Sequence, residues 1–434
     1  MDLRLSFLSS LKRTHVAVLG DGVSGRALQK LLRSSGIKFD VFDQRGEPFD
    51  PSKATRFSGV LYSPGFAPHH PWLKEAYKAR IPCLNELDFA SLFWPNRLIA
   101  VTGTNGKTSV TEWLACALRL SGRSALAVGN NGDPFSELVA GPTETDAVAV
   151  CEISSYQAAS LRYLVPDSLL WTNFSPDHLS FHHGLGAYFR AKLRLLKRTL
   201  YSPKGSVYLG KSLKKMFPQL GCPVSPRMKF SAPADPHSSY PDEHLLFSAA
   251  QRENFQLIRL FWENEGHDPH VLERSLTAFQ APDHRLKSLA TIRNGRFWND
   301  SKGTNRDSLG KALRSFSSRP LIWIGGGSSK GENLDDYVHL LRRHPNIRAA
   351  FLLGTTGKPL EERLKPHLKC VYLETLPKVM EAISNEPLNE PVDVLFCPGF
   401  ASLDQFRNYI ERGQLFEKLV LGLKKKMESI ERKV

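Results

Sequence analysis

Residues 98–109 read Leu-Ile-Ala-Val-Thr-Gly-Thr-Asn-Gly-Lys-Thr-Ser. The apolar start favours a buried strand, and a helical pattern follows from Val110 to Leu120. In such a unit, glycines let backbone N–H groups turn toward phosphate oxygens, and the helix N-terminus adds partial positive charge. Lys107 would reach the β- and γ-phosphates of ATP, and the Thr108 hydroxyl would bind Mg²⁺. The sequence therefore predicts an ATP site.

This loop is shorter than the strict Walker pattern, which would place a glycine at Val101. The alternative is a tight strand-to-helix turn without a ligand. The order of strand, glycines, Lys-Thr pair and helix favours the nucleotide. The predicted ATP-loop residues are Gly103, Thr104, Asn105, Gly106, Lys107, Thr108 and Ser109.

Strands alternate with helices on both sides of this loop, which indicates covered, mostly parallel sheets. We predict an α/β protein of three domains, each a mostly parallel sheet with covering helices. The domains would be Rossmann-like at 1–93, P-loop ATPase-like at 94–281, with 202–245 loop-rich, and Rossmann-like at 282–434. The other strands are predicted at 15–19, 39–43, 147–151, 168–172, 321–324, 349–353 and 392–396.

Composition narrows the class of protein. The 434 residues contain no run of about 18 apolar residues, so we expect no membrane insertion. The first residues lack the features of a signal peptide, so we expect a cytoplasmic protein, and we expect a monomer. The net charge of +15 favours anionic partners, such as nucleotides, phosphates, nucleic acid or an acidic membrane surface. No aromatic-interleaved basic stretch is evident, so we predict no nucleic-acid partner. The cysteine spacing argues against a zinc site.

Glu152 follows the predicted strand at 147–151. A carboxylate at the C-terminal edge of a parallel strand faces the ligand crevice, and Mg²⁺ prefers carboxylate and phosphate oxygens. Glu152 is therefore a candidate metal ligand. The alternative is that it caps the next helix.

Residues 102–109 resemble the nucleotide loop of the Mur ligases and folylpolyglutamate synthases, which form an acyl phosphate and then an amide bond. The segment 173–179 is similar to the Mur ligase N-x-x-x-D-H segment, in which the histidine lies at a second metal. The match ends at Ser180-Phe181, where the family usually has Asp-Arg, so any role of those two side chains is in doubt.

Lys192 resembles the family's Ala-Lys lysine, which is carbamylated. A carbamate would turn a cation into an anion that can hold Mg²⁺. The alternative for Lys192 is an ordinary lysine on the surface of a helix. The alternative for His178 is a structural histidine without a ligand. The resemblance implies four catalytic residues, Lys107, Glu152, His178 and Lys192. The implied metal ligands are Thr108, Glu152, His178 and carbamylated Lys192.

Residues 299–305 resemble the family's N-D-S-K-x-T-N motif. By that match Asp300 would hold the ATP ribose, Arg285 would contact ATP, and Asn254 aligns loosely with an adenine-side asparagine. Residues 401–406 resemble the S-x-D-x-F stretch of the members that add D-glutamate. The implied D-glutamate-binding residues are Lys302, Thr304, Lys330, Ser402, Leu403 and Tyr409.

The glycine-rich turn at 20–25 together with Asp43 would alone suggest a dinucleotide site. In this family the same corner takes the uridine nucleotide, and residues 63–65 are similar to its S-P-G loop. The implied residues for the UDP-linked substrate are Gly22, Ser24, Asp43, Gln44, Arg45, Ser63, Pro64, Gly65 and Asn130.

The resemblance spans the whole chain and is stronger in the second and third predicted domains. It implies a ligase that uses ATP and Mg²⁺ to add D-glutamate to UDP-N-acetylmuramoyl-L-alanine, a cytoplasmic step of peptidoglycan synthesis. A folylpolyglutamate-type or other Mur-type amide ligase is an alternative. A folylpolyglutamate-type ligase would lack the first predicted domain. A nicotinamide-dependent oxidoreductase and a basic, nucleic-acid-binding NTPase are also open.

Overall fold

The computed structural model describes residues 15–67, 70–142, 144–235, 240–316 and 319–431. The expectation about a signal peptide concerns residues 1–14, which lie outside this set. The described residues form three sheets, and each sheet lies within one of the three predicted ranges. The three-part α/β fold class is confirmed, whereas the boundaries near 93 and 281 stay predictions.

Contacts group the chain into two compact units. The first consists of the described residues of 1–174, 185–233 and 254–279, and it holds the first two sheets. The second consists of the described residues of 175–184, 234–253 and 280–434, and it holds the third sheet.

The first sheet is parallel, with the strand order β2-β1-β3-β4. Its central strand is apolar and buried, as expected of a parallel sheet covered on both faces. Gly25 lets the first helix approach the turn after β1, because a Cβ there would lie 1.8 Å from the Gly20 carbonyl oxygen. The elements are β1 (His15–Leu19), α1 (Val23–Ser34), β2 (Lys38–Phe42), a 3₁₀ helix (Pro51–Arg56), β3 (Gly59–Tyr62), α2 (Pro71–Lys78), β4 (Cys83–Asn85) and α3 (Glu86–Ala90).

The second sheet is parallel throughout, with the order β10-β9-β8-β5-β7-β6. The predicted strands at 98–101, 147–151 and 168–172 are three of its four inner strands, β5, β7 and β8. The segment predicted as loop-rich contributes two strands and a helix, and its last strand forms the sheet edge. The elements are β5 (Leu98–Thr102), α4 (Lys107–Leu120), β6 (Ala125–Gly129), α5 (Phe135–Ala140), β7 (Val148–Glu152), α6 (Ser155–Ala159), β8 (Ser168–Trp171), α7 (Leu179–His182, in the second unit), α8 (Leu185–Tyr201), β9 (Ser206–Leu209), α9 (Leu213–Gln219), β10 (Met228–Phe230), a 3₁₀ helix (Leu245–Phe247, in the second unit), α10 (Ala249–Asn264) and α11 (Pro269–Ala278).

The third sheet has the order β11-β12-β16-β13-β14-β15, and within it only β11 and β12 are antiparallel. Among the described residues, no helix is both long and apolar enough to cross a membrane. The elements are β11 (Lys287–Ile292), β12 (Gly295–Asn299), α12 (Arg306–Arg314), β13 (Leu321–Gly326), α13 (Leu334–Arg342), β14 (Ile347–Leu353), α14 (Gly357–Leu364), β15 (Cys370–Tyr372), α15 (Leu376–Ser384), β16 (Val392–Phe396) and α16 (Tyr409–Glu431).

Two buried carboxylates connect the first sheet to the second within the first unit. The Ser136 backbone N–H donates to Glu86 Oε1 at 2.5 Å. The backbone N–H groups of residues 162–164 donate to the Asp88 carboxylate at 2.7, 2.7 and 2.8 Å. Burial raises the pKa of Glu86 to about 7 and also raises that of Asp88, so the N–H donors compensate desolvated acids.

We expect Asp88→Ala to destabilise the chain by about 3 kcal/mol, because three backbone N–H groups, of which that of Leu164 is buried and the other two are partly buried, would lose their acceptor. Urea unfolding followed by circular dichroism measures this change. The control is Asp133→Ala at an exposed carboxylate, which should shift the unfolding free energy by less than about 0.5 kcal/mol. Equal unfolding midpoints for the two variants would show that Asp88 contributes no such stability.

Candidate active site

Two glycines of the predicted ATP loop lie where a side chain would not fit. Gly103 has φ 151°, and a Cβ there would lie 1.9 Å from Thr172 Oγ1. Gly106 has φ 83°, and a Cβ there would lie 2.5 Å from Asn254 Oδ1. The same contact places Asn254, the loosely aligned adenine-side candidate, directly beside the loop. A tight turn alone does not require both close approaches.

The end of β8 fixes the backbone of the loop. Thr172 Oγ1 donates to the Asn105 carbonyl at 2.6 Å, and the Asn105 N–H donates to Asn173 Oδ1 at 3.0 Å. The Thr104 N–H donates to the Asn173 carbonyl at 3.1 Å. We had assigned Thr172 and Asn173 no role in the loop. The available signal was that both follow a strand predicted to end at the same sheet edge.

The cationic side chain of the loop is held inside the loop itself. Lys107 Nζ donates to the Thr104 carbonyl at 3.0 Å. Thr108 and Ser109, in the first turn of α4, are both buried. To reach a phosphate, Lys107 has to exchange this carbonyl for a phosphate oxygen, which is a stronger, charge-assisted contact.

Lys192 lies against the same loop from α8. Its side chain is 1% exposed, so the alternative of a lysine on the helix surface is wrong. Lys192 Nζ donates to the Gly103 carbonyl at 2.7 Å and lies 3.4 Å from Thr102 Oγ1. Tyr188, one turn earlier, places its hydroxyl 3.0 Å from Thr104 Oγ1. Burial next to the phosphate loop is what a carbamylated metal-binding lysine requires.

Glu152 ends β7, which neighbours β5, so the sheet order places its carboxylate at the edge where the loop begins. Glu152 Oε1 accepts a hydrogen bond from Asn130 Nδ2 at 2.9 Å, whereas Oε2 is buried without a hydrogen-bond partner. A buried carboxylate oxygen without a donor fits a cation ligand. The alternative helix-cap role is wrong, because Ser154 caps α6 in a capping box with Gln157.

The described residues include no metal site built from acids, histidines and cysteines alone. Among the described residues, no three such side chains cluster to hold an ion. The predicted ligand set differs in kind, because it also uses a threonine hydroxyl and a lysine carbamate. The oxygen atoms of Glu152 and Thr108, both in the first unit, are of the kind that Mg²⁺ prefers. His178 belongs to the second unit.

The predicted uridine corner lies at the carboxyl ends of β1, β2 and β3. The Asp21 and Arg45 N–H groups donate to the Asp43 carboxylate at 3.0 and 2.9 Å. Both bonds lower the pKa of Asp43, and the bond from Arg45 has the larger effect. Gln44 Nε2 lies 3.0 Å from His70 Nε2. The remaining candidates of this corner, half-buried or exposed beside the same turns, are Gly22, Ser24, Ser63, Pro64 and Gly65.

Ser63 has an unsatisfied hydroxyl at this corner. Its Oγ is buried and makes no hydrogen bond, and it lies 2.9 Å from the position a Cβ would take at Gly20. The glycine-rich turn therefore packs directly on the S-P-G loop. The sheet brings together the two segments that the sequence linked only by resemblance.

In the second unit, the histidine segment contacts a predicted D-glutamate residue. Lys330 Nζ donates to Asp177 Oδ1 at 2.9 Å, and His178 Nε2 lies 3.7 Å from Asp177 Oδ2. Desolvation raises the pKa of Asp177, but Lys330 and His178 outweigh it and hold that pKa below its ordinary value. These three residues line a cavity of about 570 Å³ together with Asn305.

Asp300, the residue predicted to bind the ATP ribose, has a raised pKa. Desolvation raises the pKa of Asp300 to about 7, although Cys397, Arg285 and the Leu286 N–H act to lower it. The Leu286 N–H donates to Asp300 Oδ1 at 3.2 Å. Arg285 and Asp300, both predicted to bind ATP, therefore lie close enough to interact.

Arg412 connects loops that carry predicted D-glutamate residues, although no motif in the sequence marks it. It is fully buried, and desolvation lowers its pKa to about 10. Its guanidinium donates to the Ser301 carbonyl at 2.8 Å and to the carbonyls of residues 400 and 401 at 3.1 Å each. Arg412 thus connects the loop that carries Lys302 to the loop that carries Ser402.

The D-glutamate candidates differ in their exposure. Lys302 Nζ lies 3.7 Å from the centre of the Tyr409 ring, which is a cation–π contact. Ser402 is buried, Thr304 is half-buried, and Leu403 is 70% exposed beside Ser402. An exposed leucine here is available to contact a ligand.

Comparisons with known proteins identify the family of this chain. Residues 101–209 match the family model of the Mur ligase middle domain. A UDP-N-acetylmuramoylalanine–D-glutamate ligase from Frankia casuarinae is 30% identical over 443 aligned residues, which cover 92% of each chain. The chain belongs to the Mur ligase family. It is therefore an ATP-dependent ligase that forms amide bonds, as predicted.

Two further comparisons agree with this membership. A UDP-N-acetylmuramoylalanine–D-glutamate ligase from Caldicellulosiruptor saccharolyticus is 28% identical and covers 93% of this chain and 98% of its own length. A solved structure of a MurF ligase from Thermotoga maritima in complex with ADP covers 86% of this chain and 96% of its own, with a TM-score of 0.58 and 12% identity. The likeness to MurF is one of fold.

The raised pKa of Asp300 predicts a pH dependence of nucleotide binding. If the ionised carboxylate accepts ribose hydroxyls, binding below pH 7 must first remove a proton. We expect the affinity for a non-hydrolysable ATP analogue to rise by up to about tenfold between pH 6 and pH 8. Calorimetric titration measures it. Asp300→Asn, which cannot titrate, corrects for ionisation of the phosphates, and an identical profile in this variant would exclude Asp300 as the cause.

Proposed function

We propose that this Mur ligase adds D-glutamate to UDP-N-acetylmuramoyl-L-alanine at the expense of ATP, a cytoplasmic step of peptidoglycan synthesis. The observation that carries the proposal is the phosphate loop, whose glycines, lysine and flanking Glu152 and Lys192 are all held at one sheet edge. The names of the relatives from Frankia and Caldicellulosiruptor supply the two substrates. The four-stranded first sheet argues against a folylpolyglutamate-type ligase.

The reaction proceeds through an acyl phosphate. The donor carboxylate attacks the γ-phosphorus of ATP, ADP leaves, and a mixed anhydride forms. The D-glutamate amine, after losing a proton, attacks the acyl carbon, and the tetrahedral intermediate expels inorganic phosphate to leave the amide. Activation is required because a carboxylate is a poor acylating agent at neutral pH, and charge builds up on the transferring oxygens.

The first unit supplies groups for phosphoryl transfer. Lys107 contacts the β- and γ-phosphates, together with backbone N–H groups of the loop other than those of Thr104 and Asn105, which donate to Asn173. Thr108, Glu152 and carbamylated Lys192 are the proposed Mg²⁺ ligands of the first unit, and His178 stays a predicted metal ligand. Mg²⁺ would supply neutralisation of phosphate charge. Asn130, bonded to Glu152 at 2.9 Å, would contact the muramoyl-alanine end of the donor, and the β1–β3 corner would bind its uridine nucleotide.

The second unit supplies the remaining contacts. Asp300 and Arg285 bind the nucleotide, with Asn254 of the first unit on the adenine side. Lys330, Ser402, Leu403 and Tyr409 hold D-glutamate together with Lys302 and Thr304. The ion pair of Lys330 with Asp177 keeps the ammonium group oriented until a substrate carboxylate competes for it.

Phosphate release tests the proposal. We expect the purified chain to release phosphate from ATP only when UDP-N-acetylmuramoyl-L-alanine and D-glutamate are both present, across a panel of D- and L-amino acids. Lys107→Ala should lower the rate by at least about a thousandfold, because the developing charge loses its cation. Lys38→Ala, at an exposed lysine of β2, is the matched control. Preference for another amino acid would refute the proposed acceptor, and normal activity of Lys107→Ala would refute the loop assignment.

A second experiment concerns recognition of the acceptor. If Lys330 pairs with the side-chain carboxylate of D-glutamate, Lys330→Ala should reduce kcat/KM for D-glutamate by at least about tenfold. D-Glutamine lacks that charge, so its slow reaction should change much less. Asp177→Asn removes the same ion pair but keeps the lysine. Equal losses with both amino acids, or an equal loss in Asp177→Asn, would show that Lys330 acts only through the fold.

A further inference from the structure

The excess of positive charge in this chain is concentrated in one segment of the first unit. Lysines and arginines occur along the whole chain, but residues 185–233 contain eleven of them and no aspartate or glutamate. This segment alone accounts for eleven of the fifteen net positive charges. It comprises α8, β9, α9 and β10. Only Lys192 has a place in the proposed reaction, so the reaction does not explain the other ten.

The topology places the two helices of this segment on one side of the second sheet. Strands β8, β9 and β10 are consecutive and parallel in the sheet, and α8 and α9 connect them. Crossover connections of this kind are right-handed, so both helices lie on the same face. The rings of Phe189 in α8 and Phe217 in α9 have centroids 5.6 Å apart, so the two helices are neighbours. The outward sides of both helices therefore face solvent together.

The exposed side of α8 is cationic along its whole length. Arg190, Arg194, Lys197 and Tyr201 are all exposed and fall at i, i+4, i+7 and i+11, which is one helix stripe. The opposite side of the helix is buried against the sheet. Lys204 follows directly and is also exposed.

The loop before β10 extends the same surface. Arg227 donates through Nη1 to the Ser202 carbonyl, and it also contacts the carbonyls of residues 200, 203 and 205, so its guanidinium lies at the C-terminal end of α8. Burial raises the pKa of the Cys222 thiol in this loop, and the nearby charge of Lys197 on the α8 stripe acts to lower it. Lys215 is exposed on α9, on the side away from buried Leu213 and Phe217. We call this surface the basic face: Arg190, Arg194, Lys197, Tyr201, Lys204, Lys215 and Arg227.

No acid neutralises the basic face. None of its lysines or arginines forms an ion pair with any residue that the structure describes, whereas exposed lysines elsewhere, such as Lys78 and Lys378, have carboxylate partners at 2.6 Å. Lys229 of β10 bonds Asn264 at the C-terminal end of α10, and the two acids at that end are already engaged, Glu263 with Arg259 and Glu265 with Arg97. Unneutralised charge of one sign destabilises the fold by self-repulsion, so its concentration on one face points to a ligand.

From this surface we infer that the basic face docks the enzyme on an anionic lipid surface. The three lysines carry compact charges on flexible stems, which suit a diffuse layer of lipid phosphates. The guanidinium groups of Arg194 and Arg227 are bonded to backbone carbonyls, so they offer less of the fork that recognises individual phosphates in nucleic acid. Tyr201, 87% exposed, and Val224, 48% exposed, are side chains suited to the headgroup boundary.

Several lysines acting together are needed for such binding, because each contributes little alone and the contribution falls off within a Debye length. The attachment is peripheral and reversible, since no described helix is able to cross the membrane. The basic face contains no residue of the proposed active site.

Vesicle flotation of the purified full chain tests this inference. We expect at least about tenfold more binding to phosphatidylcholine vesicles with about 30% phosphatidylglycerol than to phosphatidylcholine alone, and loss of that binding when salt is raised to about 0.5 M. The triple variant Lys197→Glu, Lys204→Glu, Lys215→Glu should lose the binding. The charge-matched control reverses three exposed cations elsewhere in the first unit, Lys38→Glu, Lys74→Glu and Arg123→Glu, and should keep most of it.

Two results would overturn the inference. One is equal binding to neutral and anionic vesicles, and the other is equal loss in the triple variant and its charge-matched control, which would reduce the effect to net charge. A parallel titration with a single-stranded oligonucleotide completes the test, because tighter binding to it than to anionic vesicles assigns the face to nucleic acid. Both triple variants should keep the phosphate-release activity, so vesicle binding is read on folded enzyme.

Discussion

Contact between the backbone of Gly103 and the hydroxyl of Thr172 leaves no space for a side chain, and the arrangement of the first unit follows from it. β5 and β8 must be neighbours for this contact to form, and their parallel pairing brings both C-terminal ends to one edge. Thr172 and Asn173 then hold the loop backbone, while α8 returns beside it with Lys192. A glycine loop of this kind is rigid before any nucleotide binds, which reduces the ordering cost of binding.

Three of the buried charged side chains are held by backbone groups. Asp88 accepts three N–H groups, Arg412 donates to three carbonyls, and Lys192 donates to the Gly103 carbonyl. Charges without partners would cost several kcal/mol each. Glu152 departs from this pattern, because one of its oxygens is buried without a donor. Such a departure at the edge of the phosphate loop is more readily explained by a cation in the working enzyme than by stability.

The sequence was sufficient where one local pattern determined one structure. The apolar runs at 15–19 and 392–396 were predicted with the bounds that the structure gives them, because buried parallel strands are apolar and end at polar or glycine residues. Strand β11 was missed because its mixed, largely exposed residues carry no clear period, and β12 was missed because, although it is mostly buried, Arg296 and Asn299 interrupt its apolar residues. Likewise Arg412 lies in a helix more than a hundred residues after Ser301, so only the tertiary fold shows that they touch.

The same difference separates the proposed active site from the basic face. Residues of the active site are recognisable in sequence because chemistry fixes their types and spacing, as in the Lys107-Thr108 pair. A surface that attracts a diffuse layer of charge needs only sign and proximity, so its lysines follow no motif and are interchangeable. Absence of acids over residues 185–233 was visible in the sequence, but it became informative only when the crossover topology placed α8 and α9 on one side of the sheet. Charge that is spread along a chain can therefore still be concentrated on its surface.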